Sequence, residues 1–231
     1  ALIISVYQLR QIWSAEAVPF DHHKWPLKSL GTSSLLLAFS YTLMYSIDIL
    51  LVKHFFNSFQ AGIYAVLVTA GKIVYFAQSP LVAALVPVIA RKAKHPSSAR
   101  QDLIILLSAT FAISAFIVLG YWLFGEAILI NLVFTRKFID ALPLLVPMGL
   151  ALAAYSFASL AANFLLALDK PWAAWISLSG LVVQVGGILL FHDSLAQVVA
   201  TLLTVFVILA TILVSASFYV TRQTINSRTN I

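Results

Sequence analysis

Long apolar runs alternate with short polar ones along most of this chain. A bilayer's hydrocarbon core is about 30 Å thick and asks for about 20 apolar helical residues per crossing. The segments that meet this requirement are Leu30–Val52, Ala61–Ala90, Leu103–Phe124, Leu142–Leu168, Trp172–Phe191 and Leu195–Val220. Ala61–Ala90 is long for one crossing, and Pro80 and Pro87 are expected to kink or end it near its C-terminus. Pro143 and Pro147 lead into the fourth segment, and Pro171 stands just before the fifth, where a helix tolerates it. The run Ile128–Phe134 is too short to span and reads as an interfacial turn. The pattern therefore predicts an all-α fold, a polytopic transmembrane helix bundle of about six spans.

Composition agrees. Of 231 residues, 61% are hydrophobic and 10% charged, against about 45–50% and about 25% in soluble domains. So few charges cannot cover so much apolar side chain in water, and in lipid a helix satisfies its own backbone. The net charge of +6 does not gather into a nucleic-acid-binding patch; it sits between the apolar runs. The loops, assigned alternately to two sides, divide it unevenly. One side carries Arg10, Lys24, Lys28, Arg91, Lys92, Lys94, Arg100, Lys170, Arg222 and Arg228, the other only Lys53, Arg136 and Lys137. Cytoplasmic loops are enriched in Lys and Arg, so the first side, with the C-terminal tail, is expected to be cytoplasmic. Trp13, Trp25, Trp122 and Trp172 lie near the predicted boundaries and read as interfacial anchors.

The chain begins with Ala inside an apolar run, Ala1 to Tyr7, and no signal-peptide pattern follows. The expected organisation is residues 1–29 as the end of a preceding helix plus a cytoplasmic linker, 30–220 as a six-helix transmembrane lobe, and 221–231 as a cytoplasmic tail. On this reading the sequence is a piece of a longer protein.

Polar residues recur at helical spacing inside the spans. The sixth span carries Gln197, Thr201, Thr204, Thr211 and Ser215; the first Ser34, Tyr41, Tyr45 and Asp48; the second Thr69, Lys72, Tyr75 and Ser79. The fourth carries Tyr155, Ser159 and Asn163, and the fifth Ser177, Gly180, Gln184 and Gly187. Such stripes fit either close helix packing, with hydroxyls bonded to their own helix, or a polar pathway between helices.

Asp48 and Lys72 stand apart, because an ionisable side chain within a span marks function by default. Counted from the expected boundaries, Asp48 lies about 8 Å and Lys72 about 15 Å deep at 1.5 Å per residue. A snorkelling lysine stem could bridge that gap. The pair reads either as a structural ion pair orienting two helices, or as a cavity-facing cation placed for a pyrophosphate or anionic sugar. The candidate substrate-cavity residues are Lys72, Asp48, Tyr41, Tyr45, Thr69, Asn163 and Gln184. With no cysteine, Cys-based catalysis and Cys–zinc sites are excluded. His22 and His23 read as solvated loop residues, and no nucleophile elbow, phosphate-binding glycine loop or paired-His helix occurs. No cofactor or metal is expected, nor an enzyme.

The stretch Tyr45 to Lys53, then Gly62 and Tyr64, Gly71-Lys72, and Leu85 to Arg91 through Pro87, resembles the polysaccharide-biosynthesis flippases of the multidrug/oligosaccharidyl-lipid/polysaccharide exporter superfamily. Phe124-Gly125-Glu126, Ala141–Leu168 and Asp169 to Pro171 are similar too, and the resemblance covers about residues 30–220. Phe134 to Phe138 departs from the family's usual Phe-Gly-x-x-Tyr. The resemblance implies the C-terminal lobe of a two-lobe flippase fold, with the N-terminal lobe of the same full-length protein as partner. It also implies alternating-access transport of a lipid-linked oligosaccharide or polysaccharide precursor to the outer leaflet of the inner (plasma) membrane. The alternatives are a drug or lipid-precursor exporter of the same superfamily, or a membrane-embedded glycan-pathway enzyme.

Overall fold

A computed structural model describes residues 27–92, 96–133 and 136–229. The expected linker before residue 27, including His22 and His23, lies outside the described residues. All regular elements described are helices: α1 (Leu27–Met44), α2 (Ile47–Phe55), α3 (Ser58–Lys92), α4 (Pro96–Val133), a 3-10 turn (Arg136–Ala141), α5 (Leu142–Ala167), α6 (Trp172–Leu190) and α7 (Leu195–Thr229). Among the described residues, six stretches are long and apolar enough to cross a membrane: Gly31–Phe55, Ser58–Gln78, Arg100–Ile130, Ile139–Ala167, Trp172–Leu190 and Leu195–Arg222. The protein is thus an all-α six-helix bundle of multi-pass membrane type.

Helix α5 is the axis of the bundle. It packs most extensively against α7, then α3 and α4, and also touches α1 and α6. Its sequence explains this. Ala151, Ala154, Ala158, Ala161 and Ala162 are all buried, so neighbouring backbones approach closely, as small residues allow between helices in lipid. Large apolar residues point the other way on the outer helices: Leu35, Phe116, Trp122 and Leu190 are each more than two-thirds exposed, as suits contact with hydrocarbon. Glycines mark tight crossings, two of them here. At Gly71 a Cβ would come 3.0 Å from the Met148 side chain, which sets how closely α3 rests on α5. At Gly187 it would come 2.7 Å from Thr201 Cγ2, between α6 and α7.

Gly187→Ala is therefore expected to lower stability by about 1–3 kcal/mol, the usual cost of overpacking. Thr201→Ser, which removes the opposing methyl, should restore most of it. Thermal unfolding of the detergent-purified single and double variants tests this; an unrelieved double variant would rule out the Thr201 clash as the cause.

Four expected boundaries differ from the structure. The first span is two helices, α1 and α2, separated at Tyr45–Ser46. The second continues through Pro80 and Pro87 to Lys92; a proline forfeits one helical hydrogen bond, and here both lie beyond the stretch long and apolar enough to span. Ile128–Phe134 is not a turn as far as it is described: α4 runs on to Val133, with non-helical backbone only at Phe124. Helix α7 likewise runs past Val220 to Thr229. Helix α5 ends as its sequence suggests: Asp169 adopts φ 58° and the Lys170 N–H donates to the Leu165 carbonyl at 3.0 Å. Asp is among the few non-glycine residues at ease in that left-handed conformation.

Candidate functional site

The interruption of the first span organises the site. At Tyr45–Ser46 the helical ladder is broken: the Ser46 N–H donates to the Leu43 carbonyl, three residues back rather than four, at 3.0 Å. Backbone carbonyls next to such a break need outside donors, since lipid supplies none. Two buried side chains donate to carbonyls here, although the Tyr41 carbonyl also keeps the Tyr45 N–H at 3.0 Å. Tyr155 Oη on α5 donates to the Tyr41 carbonyl at 2.8 Å. Gln184 Nε2 on α6 donates to the Met44 carbonyl at 2.9 Å, from a fully buried position.

Asp48 follows in the first turn of α2, where the helix dipole favours an acid. It is 5% exposed and accepts a 2.6 Å hydrogen bond from Tyr64 Oη on α3. At 2.6 Å the bond is short for an O–H···O contact. Lys72, two turns further along α3, is half-buried and places its Nζ 3.8 Å from the centre of the Tyr45 ring. Asp48 and Lys72 are close enough for their charges to interact, yet each has a different principal partner: a tyrosine hydroxyl for one, a tyrosine face for the other.

Around Lys72 lies an aromatic frame. Tyr45 meets Tyr75 at 5.6 Å, Phe76 at 6.1 Å and Tyr155 at 6.4 Å between ring centres. Tyr155 is also edge-on to Tyr41 at 5.4 Å, Tyr75 at 5.2 Å and Phe206 at 5.3 Å. The frame is graded: Tyr155 and Phe206 are buried, Tyr45 and Tyr75 half-buried, and Phe76 is 57% exposed. Lys72 therefore sits at the partly exposed edge of an aromatic cluster.

Five of the seven sequence candidates converge here: Lys72, Asp48, Tyr41, Tyr45 and Gln184. Thr69 and Asn163 do not. Thr69 is exposed and donates to the Ala65 carbonyl of its own helix at 2.7 Å; Asn163 Nδ2 donates to the Ser159 carbonyl at 2.8 Å. The stripe on α7 faces outward as well. Thr204 and Thr211 are exposed and bonded to carbonyls four residues back, and Thr211 and Ser215 border an open groove of about 350 Å³ against Ala154 and Phe157. Tyr64, Tyr155, Tyr75 and Phe206 were not among the candidates. Tyr64 was within reach of sequence reasoning. In an antiparallel hairpin, residues equally far from the turn lie at equal depth; Asp48 and Tyr64 flank the turn at 56–57 almost symmetrically, whereas Lys72 lies eight residues, about 12 Å, deeper than Tyr64.

Among the described residues no group of three or more His, Cys, Asp or Glu side chains could hold a metal ion. The chain matches no protein-family model, no curated protein and no solved structure.

Proposed function

We propose that this chain is one lobe of a membrane transporter that carries a lipid-linked oligosaccharide or polysaccharide precursor from the cytoplasmic to the outer leaflet by alternating access. The observation that carries the reading is Lys72: a half-buried cation inside a span, seated on a tyrosine face rather than on a carboxylate, at the edge of an aromatic cluster. Facing hydrocarbon, such a lysine would be costly. The lysine is better served by a polar cavity, closed by the N-terminal lobe that the sequence resemblance implies. A pyrophosphate-linked glycan suits that chemistry. Its phosphates match the ammonium, its sugar rings can lie against aromatic faces, and its lipid tail stays in the bilayer.

The drug-exporter alternative is weaker on one point. A cation-coupled drug pump calls for carboxylates open to the cavity, and Asp48 is buried against Tyr64. The loop charges favour a cytoplasmic C-terminus in a plasma (inner) membrane.

Depleting the encoding gene in the source cell, and measuring lipid-linked glycans by mass spectrometry in separated leaflet pools, tests the proposal. Accumulation of a complete lipid-linked glycan on the cytoplasmic side is expected. Unchanged pools would refute glycan export and favour the drug exporter, while a truncated glycan would point to an enzyme of the pathway.

A further inference from the structure

The break in the first span is held by tethers from three helices. Tyr155 and Gln184 bond its carbonyls from α5 and α6, and Tyr64 bonds Asp48 just beyond it. The side chain of Tyr45, at the break itself, is held from α3 by Lys72, Tyr75 and Phe76. These tethers differ in kind. The donors Tyr64, Tyr155 and Gln184 are buried, and each already donates to an oxygen. Lys72 is half-buried, and its ammonium, with three donors, rests on a ring face. A cation–π contact is weaker than a charge-assisted hydrogen bond to an anion. An anion arriving at Lys72 would therefore draw it off Tyr45 while leaving the buried tethers in place.

We propose that the Lys72–Tyr45 contact is a latch on the break of the first span, released when a phosphate-type anion takes Lys72. The latch couples anion binding at Lys72 to the angle between α1 and α2. The anion binds the released arrangement with an ammonium free to bond it, and the latched arrangement without one. That difference in affinity is what lets a ligand shift a conformational equilibrium. The anionic ligand rests on the transport reading above; the latch itself rests on the contacts at the break.

Pulsed electron–electron distance measurements on the full-length protein in lipid test it. Spin labels at Leu50 on α2 and Leu119 on α4, both exposed, report the segment beyond the break; labels at Leu35 and Ile105, also exposed, report the segment before it. Without ligand, Lys72→Gln and Tyr45→Leu should each raise the population of a second Leu50–Leu119 distance about two- to tenfold. Tyr45→Phe, which keeps the ring, should leave it unchanged, and the Leu35–Ile105 distance should not move. Inorganic pyrophosphate should reproduce the shift in the parent protein and add nothing in Lys72→Gln. If both ring- and charge-deleting variants keep the parent distances, the latch is wrong, and the transport proposal stands or falls on its own assay. If the variants shift but pyrophosphate neither binds nor shifts the parent, release by an anion is wrong, and the anionic substrate falls with it.

Discussion

Lys72→Ala is expected to reduce transport by about 10- to 100-fold while expression and folding stay normal. The size follows from the interaction lost: a hydrogen bond to a charged group contributes about 1.5–3 kcal/mol, and each 1.4 kcal/mol is a factor of ten. Folding should be spared because the lysine is half-buried and its principal contact is the Tyr45 face, a contact worth about 0.5–1 kcal/mol at exposed sites. Lys72→Arg should retain part of the activity, since guanidinium both stacks on an aromatic ring and bonds phosphate, but with a different reach and shape. The assay is the leaflet-resolved glycan measurement on cells carrying each variant as the sole copy, with protein level checked in the membrane fraction. Full transport by Lys72→Ala would remove the lysine, and with it the main support for an anionic cargo.

The second large effect is on stability. Tyr64→Phe keeps the ring and removes the hydroxyl that bonds Asp48 at 2.6 Å in a buried setting. A buried partner left unsatisfied costs about 1–3 kcal/mol, and more when it is charged. The variant should unfold at a clearly lower temperature in detergent. Asp48→Asn in the Tyr64→Phe background should recover part of the loss, because a neutral amide is less costly to bury than an unpaired carboxylate. The double-mutant cycle isolates the coupling between the two positions. A Tyr64→Phe protein as stable as its parent would mean that the hydrogen bond contributes little to the fold.

The two variants separate roles that the sequence left joined. Asp48 and Lys72 were read as a possible ion pair because both are charged, both lie within adjacent spans, and their depths were within a lysine's reach. The folded chain gives each a principal partner from among the tyrosines. Asp48 is buried at the α2–α3 contact, and Tyr64, at its own depth, reaches it first. Lys72 lies deeper, beside the break, where the nearest face is that of Tyr45. Depth along a helix can be counted from a sequence, but the direction a side chain faces around the helix depends on which neighbours the helix packs against.

The same distinction runs through the rest of the chain. The six crossings were legible, because hydropathy is a property of contiguous residues and a bilayer demands a set length of them. Some ends were misplaced by local signals that the bundle overrides: Pro80 and Pro87 did not stop α3, and Ile128 begins a continuation of α4. The stripe from Gln197 to Ser215 was correctly periodic, yet Thr204 and Thr211 face outward. Periodicity shows that residues share a face without saying what that face meets. The break at Tyr45–Ser46 had no proline or glycine to announce it. It is braced by Tyr155 and Gln184, more than a hundred residues away, which donate to the Tyr41 and Met44 carbonyls. Spans and charge asymmetry are thus written locally and can be read from order alone. The aromatic cluster, the partners of Asp48 and Lys72, and the broken helix beneath them come from long-range contacts, which exist only once α3, α5 and α6 have closed around the first span.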